Sequence, residues 1–215
     1  MDKNILLIGG GGHCHSVLDS ILAKNEFARI GIIDFDKNVS VLGVEVVGTD
    51  DDLPKLFAEG WKYAFLTVGS IGNTRLRHKL YEQICAIGFA IPSIIDPTAI
   101  IAKNVEIAKG VFIGKRVVLN EGTRIGELSI INTGAIVEHD CTIGKFAHIS
   151  PGAILCGQVE VGQDCHIGAG SVVRQLIRIG NNSIIGAGSV VVGNIPCKVK
   201  AYGNPCKVVN ECLHI

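Results

Sequence analysis

Between Ile101 and Pro196 the chain repeats itself every six residues. Counted from Ile101, sixteen consecutive hexads begin with an aliphatic residue, from Ile101, Ile107, Ile113 and Leu119 through to Ile185 and Val191, with no slip in register. If one residue in three were Ile, Leu or Val, such a run would arise by chance roughly once in tens of millions of trials. The second position is often glycine (Gly114, Gly126, Gly144, Gly162, Gly168, Gly180, Gly186) and the fifth is usually small (among them Ser129, Ala135, Cys141, Ala147, Cys165, Ser183). A period of six fits neither a helix nor a simple alternation. A fixed short period signals a solenoid, and hexads signal a parallel β-helix.

Each hexad supplies a short strand and a turn, so three hexads close one triangular coil. The large aliphatic residue fills the axis and the small fifth residue lies beside it. The second-position glycines suit turns that need positive φ. This pattern resembles the left-handed β-helix of the hexapeptide-repeat acyltransferases, and the handedness is what that resemblance implies. The tail after Pro196, with Gly203, Asn204 and Pro205, is not expected to continue the repeat.

The first hundred residues read differently. Asn4 to Ile8 is a buried strand, followed by Gly9, Gly10, Gly11, Gly12 and His13 and then a helix from about Ser16 to Asn25. A second strand, Arg29 to Ile33, ends in Asp34, Phe35 and Asp36. Strand, glycine turn, helix and strand is half of a doubly wound domain. A hairpin at Val41 to Val47, a helix at Asp51 to Glu59 capped by Asp50 or Asp51, and a strand at Tyr63 to Val68 follow. A helix at Asn73 to Ile87 and a short strand at Ile91 to Ile95 complete the expected order. The expected architecture is an α/β Rossmann-like domain over residues 1–96 and a left-handed parallel β-helix with its tail over 97–215.

A helix N-terminus attracts phosphate through its free amides, so the glycine turn is a candidate nucleotide site. The full dinucleotide fingerprint needs a glycine where Cys14 stands, which argues against NAD. Two glycines suffice for such a turn; four followed by His13 favour a ligand that approaches closely, with Asp34 reaching a ribose or base. With 20 basic and 20 acidic residues no broad basic surface is implied, and nucleic acid is not an expected partner. No apolar run is long enough to cross a bilayer, and the N-terminus lacks signal-peptide design. Eight cysteines are scattered without a CxxC pair, so no metal is expected and the chain reads as cytoplasmic and reduced. Cys141 and Cys165 sit at fifth positions, where they fill core.

One cluster interrupts the hexads: Glu138, His139 and Asp140, then Lys145 and His148. His139 holds a third position, facing away from the axis. An imidazole beside a carboxylate is a candidate general base, its tautomer fixed by the carboxylate, and the alternative is a solvated surface histidine with two acids beside it. His139 and His148 are nine residues apart, half of an eighteen-residue coil, so they lie on different sides of the prism. If both serve one site, that site lies between subunits, and a closed three-fold ring supplies three such sites. His166 lies eighteen residues beyond His148 and stacks one coil along, about 4.8 Å away, where it either lines the same groove or forms an exposed histidine ladder.

The glycine-turn domain with Gly11, Gly12 and His13, joined to a solenoid with Glu138, His139 and Asp140, resembles the sialic acid O-acetyltransferase family. That family includes bacterial acetyltransferases of nucleotide-linked 4-amino sugars, and the likeness spans essentially the whole chain. It implies that His139 is the base, that Asp140 raises its basicity, and that His148, Gly157, Ala169 and Ala187 bind acetyl-CoA. It implies that Gly11, Gly12, His13, Asp34, Phe35 and Gly69 hold the sugar nucleotide. Some relatives carry two adjacent acids where this chain has Asp34 and Phe35, and the segment Ser70 to Thr74 is longer here. The tail residues Gly203, Asn204, Pro205 and Lys207 match a segment that closes over CoA. The function implied is acetyl transfer from acetyl-CoA to the amine of a nucleotide-linked 4-amino-deoxy-sugar, in a homotrimer. Two rivals stand beside it: O-acetylation of a sugar hydroxyl, as on sialic acid, and a non-catalytic trimeric module that senses a nucleotide. The Glu-His-Asp cluster argues against the second.

Overall fold

The computed structural model describes residues 3–211, so Cys212 and the rest of segment 212–215 lie outside the described residues. The N-terminal sheet is built from β1 (Asn4–Ile8), β2 (Arg29–Ile33), β3 (Ser40–Val41), β4 (Val44–Gly48) and β5 (Tyr63–Leu66). Their spatial order is β3-β4-β2-β1-β5, all parallel except the β3 hairpin. Three helices accompany it: α1 (Gly12–Lys24), α2 (Leu53–Ala58) and α3 (Arg75–Ile87). The central strands β1, β2 and β5 are short, mostly aliphatic runs buried over most of their length, as parallel strands under helices must be, whereas β3 and β4 at the edge are partly exposed.

Three local expectations are corrected. Helix α1 starts at Gly12 rather than near Ser16, which brings His13 into its first turn. Glycine is a poor helix former in mid-helix, but first-turn amides need no intrahelical partner, so the cost there is small. The segment at 50 opens as a 3₁₀ turn, Asp50–Asp52, capped by Thr49 and not by Asp50 or Asp51. Asp52 returns the bond, its carboxylate accepting from the Thr49 N–H at 2.9 Å. The strand expected at Ile91 to Ile95 shrinks to β6 (Ile94–Ile95), which pairs with Phe112–Ile113. It is the first rung of the β-helix, not a strand of the N-terminal sheet.

The β-helix has three faces of two-residue strands, each paired in parallel with the strand eighteen residues away. The first-position aliphatics and the fifth-position small residues fill a continuous axial core. One face begins at β6 and runs through Phe112–Ile113, Ile130–Ile131, His148–Ile149, His166–Ile167 and Ile184–Ile185. The N-terminal domain sits on it. A second face, from Ile100–Ile101 to Val190–Val191, turns the aliphatic residues Val118, Ile136, Ile154, Val172 and Val190 outward, all half-buried. The third carries charge outward, with ion pairs Arg124–Glu106 at 3.6 Å and Arg178–Glu160 at 3.2 Å. The tail leaves the hexad but still extends the first face: Val199–Gly203 pairs in parallel with Ile184–Ile185, and Cys206–Glu211 folds back on it.

The second-position glycines serve a different purpose from the one expected. Positive φ falls on the fourth position of the hexad, at Gly110 and Gly134 but equally at Leu128, Asp140, Phe146 and Asp164. The second-position glycines allow close approach between coils. A Cβ on Gly126 meets the Lys145 backbone nitrogen at 2.7 Å, and one on Gly144 meets that of Gln163 at 2.5 Å.

The fourth-position ladder Gly110, Leu128, Phe146 and Asp164 forms the corner against which the N-terminal domain docks. Leu128 and Phe146 join Leu80, Ile84 and Phe89 in one buried cluster. Phe146 stacks on His78 with ring centroids 3.7 Å apart and meets the edge of Tyr81. Phe146→Ala leaves the left-handed backbone in place and removes only the ring. A loss of about 3 kcal/mol is expected, read as a lower urea midpoint at unchanged slope.

Candidate active site

The four glycines divide into two pairs. Gly9 has φ of +105° and a Cβ there meets Val68 Cγ2 at 2.6 Å; one on Gly10 meets Val39 Cγ1 at 2.6 Å. The fold therefore requires these two. Around Gly11 and Gly12 a Cβ meets nothing within 4 Å. Their smallness leaves the N-terminus of α1 bare, and that is what a phosphate-bearing ligand needs. Asp34 organises this turn: its Oδ2 accepts from the Gly10 N–H at 2.7 Å and its Oδ1 from the Asp36 N–H at 3.1 Å. Next to it, Phe35 is 92% exposed, an aromatic face with no protein partner to account for it. Cys14 is buried beneath the helix, its thiol pushed up to about 11 by burial, so it is inert.

Past the turn lies an open cavity of about 420 Å³, lined by Gly12, His13, Gly69, Ser70, Asn132 and His148 with Ser16 and Ile71 at its rim. Two neutral imidazoles face it. Burial, then the nearby Arg77 and His148, pull His13 down to about 3, and its Nε2 is buried without a hydrogen-bond partner among the described residues. His148 is also lowered, chiefly by burial. Its Nδ1 lies 3.0 Å from the Ser70 carbonyl, which can only accept, so Nδ1 carries the proton. Its Nε2 faces the Asn132 amide at 3.3 Å. His166 stacks edge-on to His148 at 5.0 Å, but it is buried and pulled down to about 4, so it underlies the cavity rather than forming an exposed ladder.

His139 and Asp140 lie elsewhere, on the corner between the aliphatic and the charged faces. The two side chains are more than half exposed. His139 Nδ1 lies 2.9 Å from Asp140 Oδ2. The carboxylate is the acceptor, so Nδ1 holds the proton and Nε2 presents a bare lone pair. That lone pair lies over Gly157, one coil along, where an added Cβ meets the ring Cε1 at 2.6 Å and Nε2 closer still. Cys141, the neighbouring residue, points into the core and its thiol is raised to about 11 by burial.

Ala169 and Ala187 are exposed on the opposite edge of the aliphatic face, at the corner it shares with the face carrying His148. Gly157, Ala169 and Ala187 all hold third positions, and their N–H groups have no hydrogen-bond partner among the described residues. The chain thus brings Gly11, Gly12, His13, Gly69 and His148 together and groups His139, Asp140 and Gly157. The two groups stay apart, with the aliphatic face between them. Asn132 and Ser70 also shape the cavity and escaped the sequence reading. Asn132 had a faint signal, since it holds a second position where glycine is common; Ser70 was marked only as the start of the longer segment to Thr74.

Among the described residues no helix is long and apolar enough to cross a membrane, and no cluster of three or more His, Cys, Asp or Glu is arranged to hold a metal ion. Residues 4–84 match the model of the PglD N-terminal domain, residues 89–174 that of the GMPPB C-terminal domain, and residues 158–193 that of the hexapeptide repeat of succinyl-transferase. The chain is similar to the perosamine N-acetyltransferase PerB from Caulobacter crescentus, solved with CoA and GDP-perosamine. Identity is 39% over 97% of this chain and 98% of that one, with a TM-score of 0.91. It is also similar to the acetyltransferase domain of PglB from Neisseria gonorrhoeae, solved with acetyl coenzyme A, at 33% identity over 97% and 100% of the two chains and a TM-score of 0.91. WeeI from Acinetobacter baumannii shares the fold at 23% identity and a TM-score of 0.77. With its glycine-turn domain, its left-handed β-helix and these full-length likenesses, the chain belongs to the hexapeptide-repeat family of nucleotide-sugar N-acetyltransferases.

Proposed function

We propose that this enzyme transfers acetyl from acetyl-CoA to the amine of a nucleotide-linked 4-amino-deoxy-sugar, in a crevice completed by two subunits of a homotrimer. The observation that carries the reading is the separation of the two groups across the aliphatic face. Turned toward a three-fold axis, that face buries its outward Val and Ile residues. The His139 corner of one subunit then lies beside the Ala169 and Ala187 corner of the next, which also brings up the His148 cavity. Acetyl-CoA runs along this crevice, its amide carbonyls and thioester taking the N–H groups of Gly157, Ala169 and Ala187. His148 borders both ligands. The nucleotide diphosphate lies on Gly11, Gly12 and His13, with the loop of Asp34 and Phe35 toward the base and Gly69 beside His13. We also place the enzyme in the cytoplasm, a reading supported by the free cysteines of the described residues.

The amine nitrogen attacks the thioester carbon. As the C–N bond forms, His139 Nε2 takes the nitrogen's proton and Asp140 stabilises the imidazolium. The C–S bond then breaks and the proton passes to the departing thiolate. The Gly157 N–H is positioned for the oxyanion. The test is an acceptor screen read by release of free CoA: GDP-linked perosamine first, then UDP-, dTDP- and CMP-linked amino sugars, each against its 4-hydroxy counterpart. Release is expected with an amine acceptor alone. Release with the hydroxyl partner instead makes the enzyme an O-acetyltransferase, and release with neither removes the catalytic reading.

A further inference from the structure

Helix α3 opens with three basic residues, Arg75, Arg77 and Lys79, and one of them is swallowed by the structure. Arg77 is 2% exposed in the second residue after the helix start, where the helix dipole already disfavours a positive charge. It touches no carboxylate. Its two terminal nitrogens donate to backbone carbonyls, Nη1 to Val68 and Nη2 to Leu128, both at 2.6 Å. Its Nε is buried without a partner among the described residues. Burial lowers the guanidinium only to about 10, so it remains charged. Asp164 favours the charge from a distance but forms no ion pair with it, and a buried charge with no directly paired carboxylate is a poor way to hold two domains together, since an apolar side chain of similar size often serves as well or better.

What the fork joins gives the reason. Leu128 belongs to the docking corner of the β-helix. Val68 begins the loop that continues through Gly69 and Ser70, both lining the acceptor cavity, and the Ser70 carbonyl takes the His148 Nδ1–H. Further along the same loop a Cβ on Gly72 runs into the Ile184 side chain, so the loop lies hard against the β-helix. The rigid planar fork spans loop and corner at a fixed distance, which a lysine cannot do. We propose that Arg77 is a positioning residue of the acceptor cavity: by fastening Val68 to Leu128 it holds the Ser70 carbonyl over His148, fixes that imidazole as the Nδ1–H tautomer, and keeps its Nε2 as an acceptor toward the cavity. This rests on the cavity being the acceptor side of the site.

The experiment uses the full chain labelled with ¹⁵N-histidine, with His148→Gln to identify the His148 signals. The wild type shows a protonated Nδ1 and a bare Nε2 at His148. In Arg77→Met, and in Arg77→Lys, the two tautomers exchange. The efficiency with the nucleotide sugar falls about tenfold or more while the KM for acetyl-CoA moves less than about twofold. Arg77→Lys keeps the charge and loses the planar fork, so it decides the matter if Arg77→Met fails to fold. A folded Arg77→Met or Arg77→Lys protein that keeps the single Nδ1–H tautomer overturns the proposal. The tautomer is read without turnover, so inactivity toward every amine acceptor defeats the functional reading and leaves this one to be judged separately.

Discussion

Replacing His139 with alanine is expected to lower kcat by about 10²–10⁴-fold, the span that a positioned general base contributes, with the KM for acetyl-CoA nearly unchanged. The asymmetry follows from the geometry. The imidazole presents only its Nε2 lone pair to the proposed crevice, while its Nδ1–H is committed to Asp140 at 2.9 Å. Removing the ring takes away the proposed proton acceptor of the transition state and leaves the N–H groups at Gly157, Ala169 and Ala187 in place. The proposed sharing of the site between subunits of a homotrimer adds a sharper outcome. His139→Ala subunits and Gly12→Val subunits, each inactive alone, recover part of the activity when co-assembled, because a mixed ring contains crevices with an intact base on one side and an intact glycine turn on the other. Unchanged turnover in His139→Ala removes the imidazole from the mechanism. Mixed rings that stay inactive place both halves of the site within one subunit.

What the sequence disclosed depended on whether the signal was local. The six-residue period is written at every first position, so the axial core was legible down to the register. The pair His139 and Asp140 was legible because the two residues are adjacent and the fold carries them outward together. The left-handed corners were not, since Leu128 and Phe146 adopt positive φ with no glycine to mark it; repeated coil geometry overrides a local cost of about 1–2 kcal/mol per residue. The glycines that were visible had another purpose, coil-to-coil clearance, which no dihedral argument reveals. Ser70, Asn132 and Arg77 lie furthest from legibility. Arg77 meets Leu128 across 51 residues and Ser70 meets His148 across 78, contacts created only when the two domains dock.

Two glycine substitutions with nearly the same clash are expected to fail in opposite ways. In Gly157→Ala the new methyl overlaps the His139 ring, lying 2.6 Å from Cε1, but that ring is the mobile end of an exposed side chain. In Gly168→Ala the methyl overlaps the backbone of the next coil, 2.6 Å from the Gly186 carbonyl carbon, and nothing there can yield. Gly168→Ala should therefore cost about 1–3 kcal/mol of stability, as overpacking does. Gly157→Ala should keep the wild-type melting temperature to within a few degrees and lose about 10²-fold in kcat, the effect of a catalytic group displaced by about 1 Å. The cycle with His139→Ala separates displacement of the base from obstruction of the cofactor. If the methyl acts by pushing the imidazole off Asp140, then once the imidazole is gone it has nothing left to disturb, and Gly157→Ala adds no further loss in the His139→Ala background. If the two losses multiply instead, Gly157 serves acetyl-CoA directly and its bare Cα is there for the thioester rather than for the base.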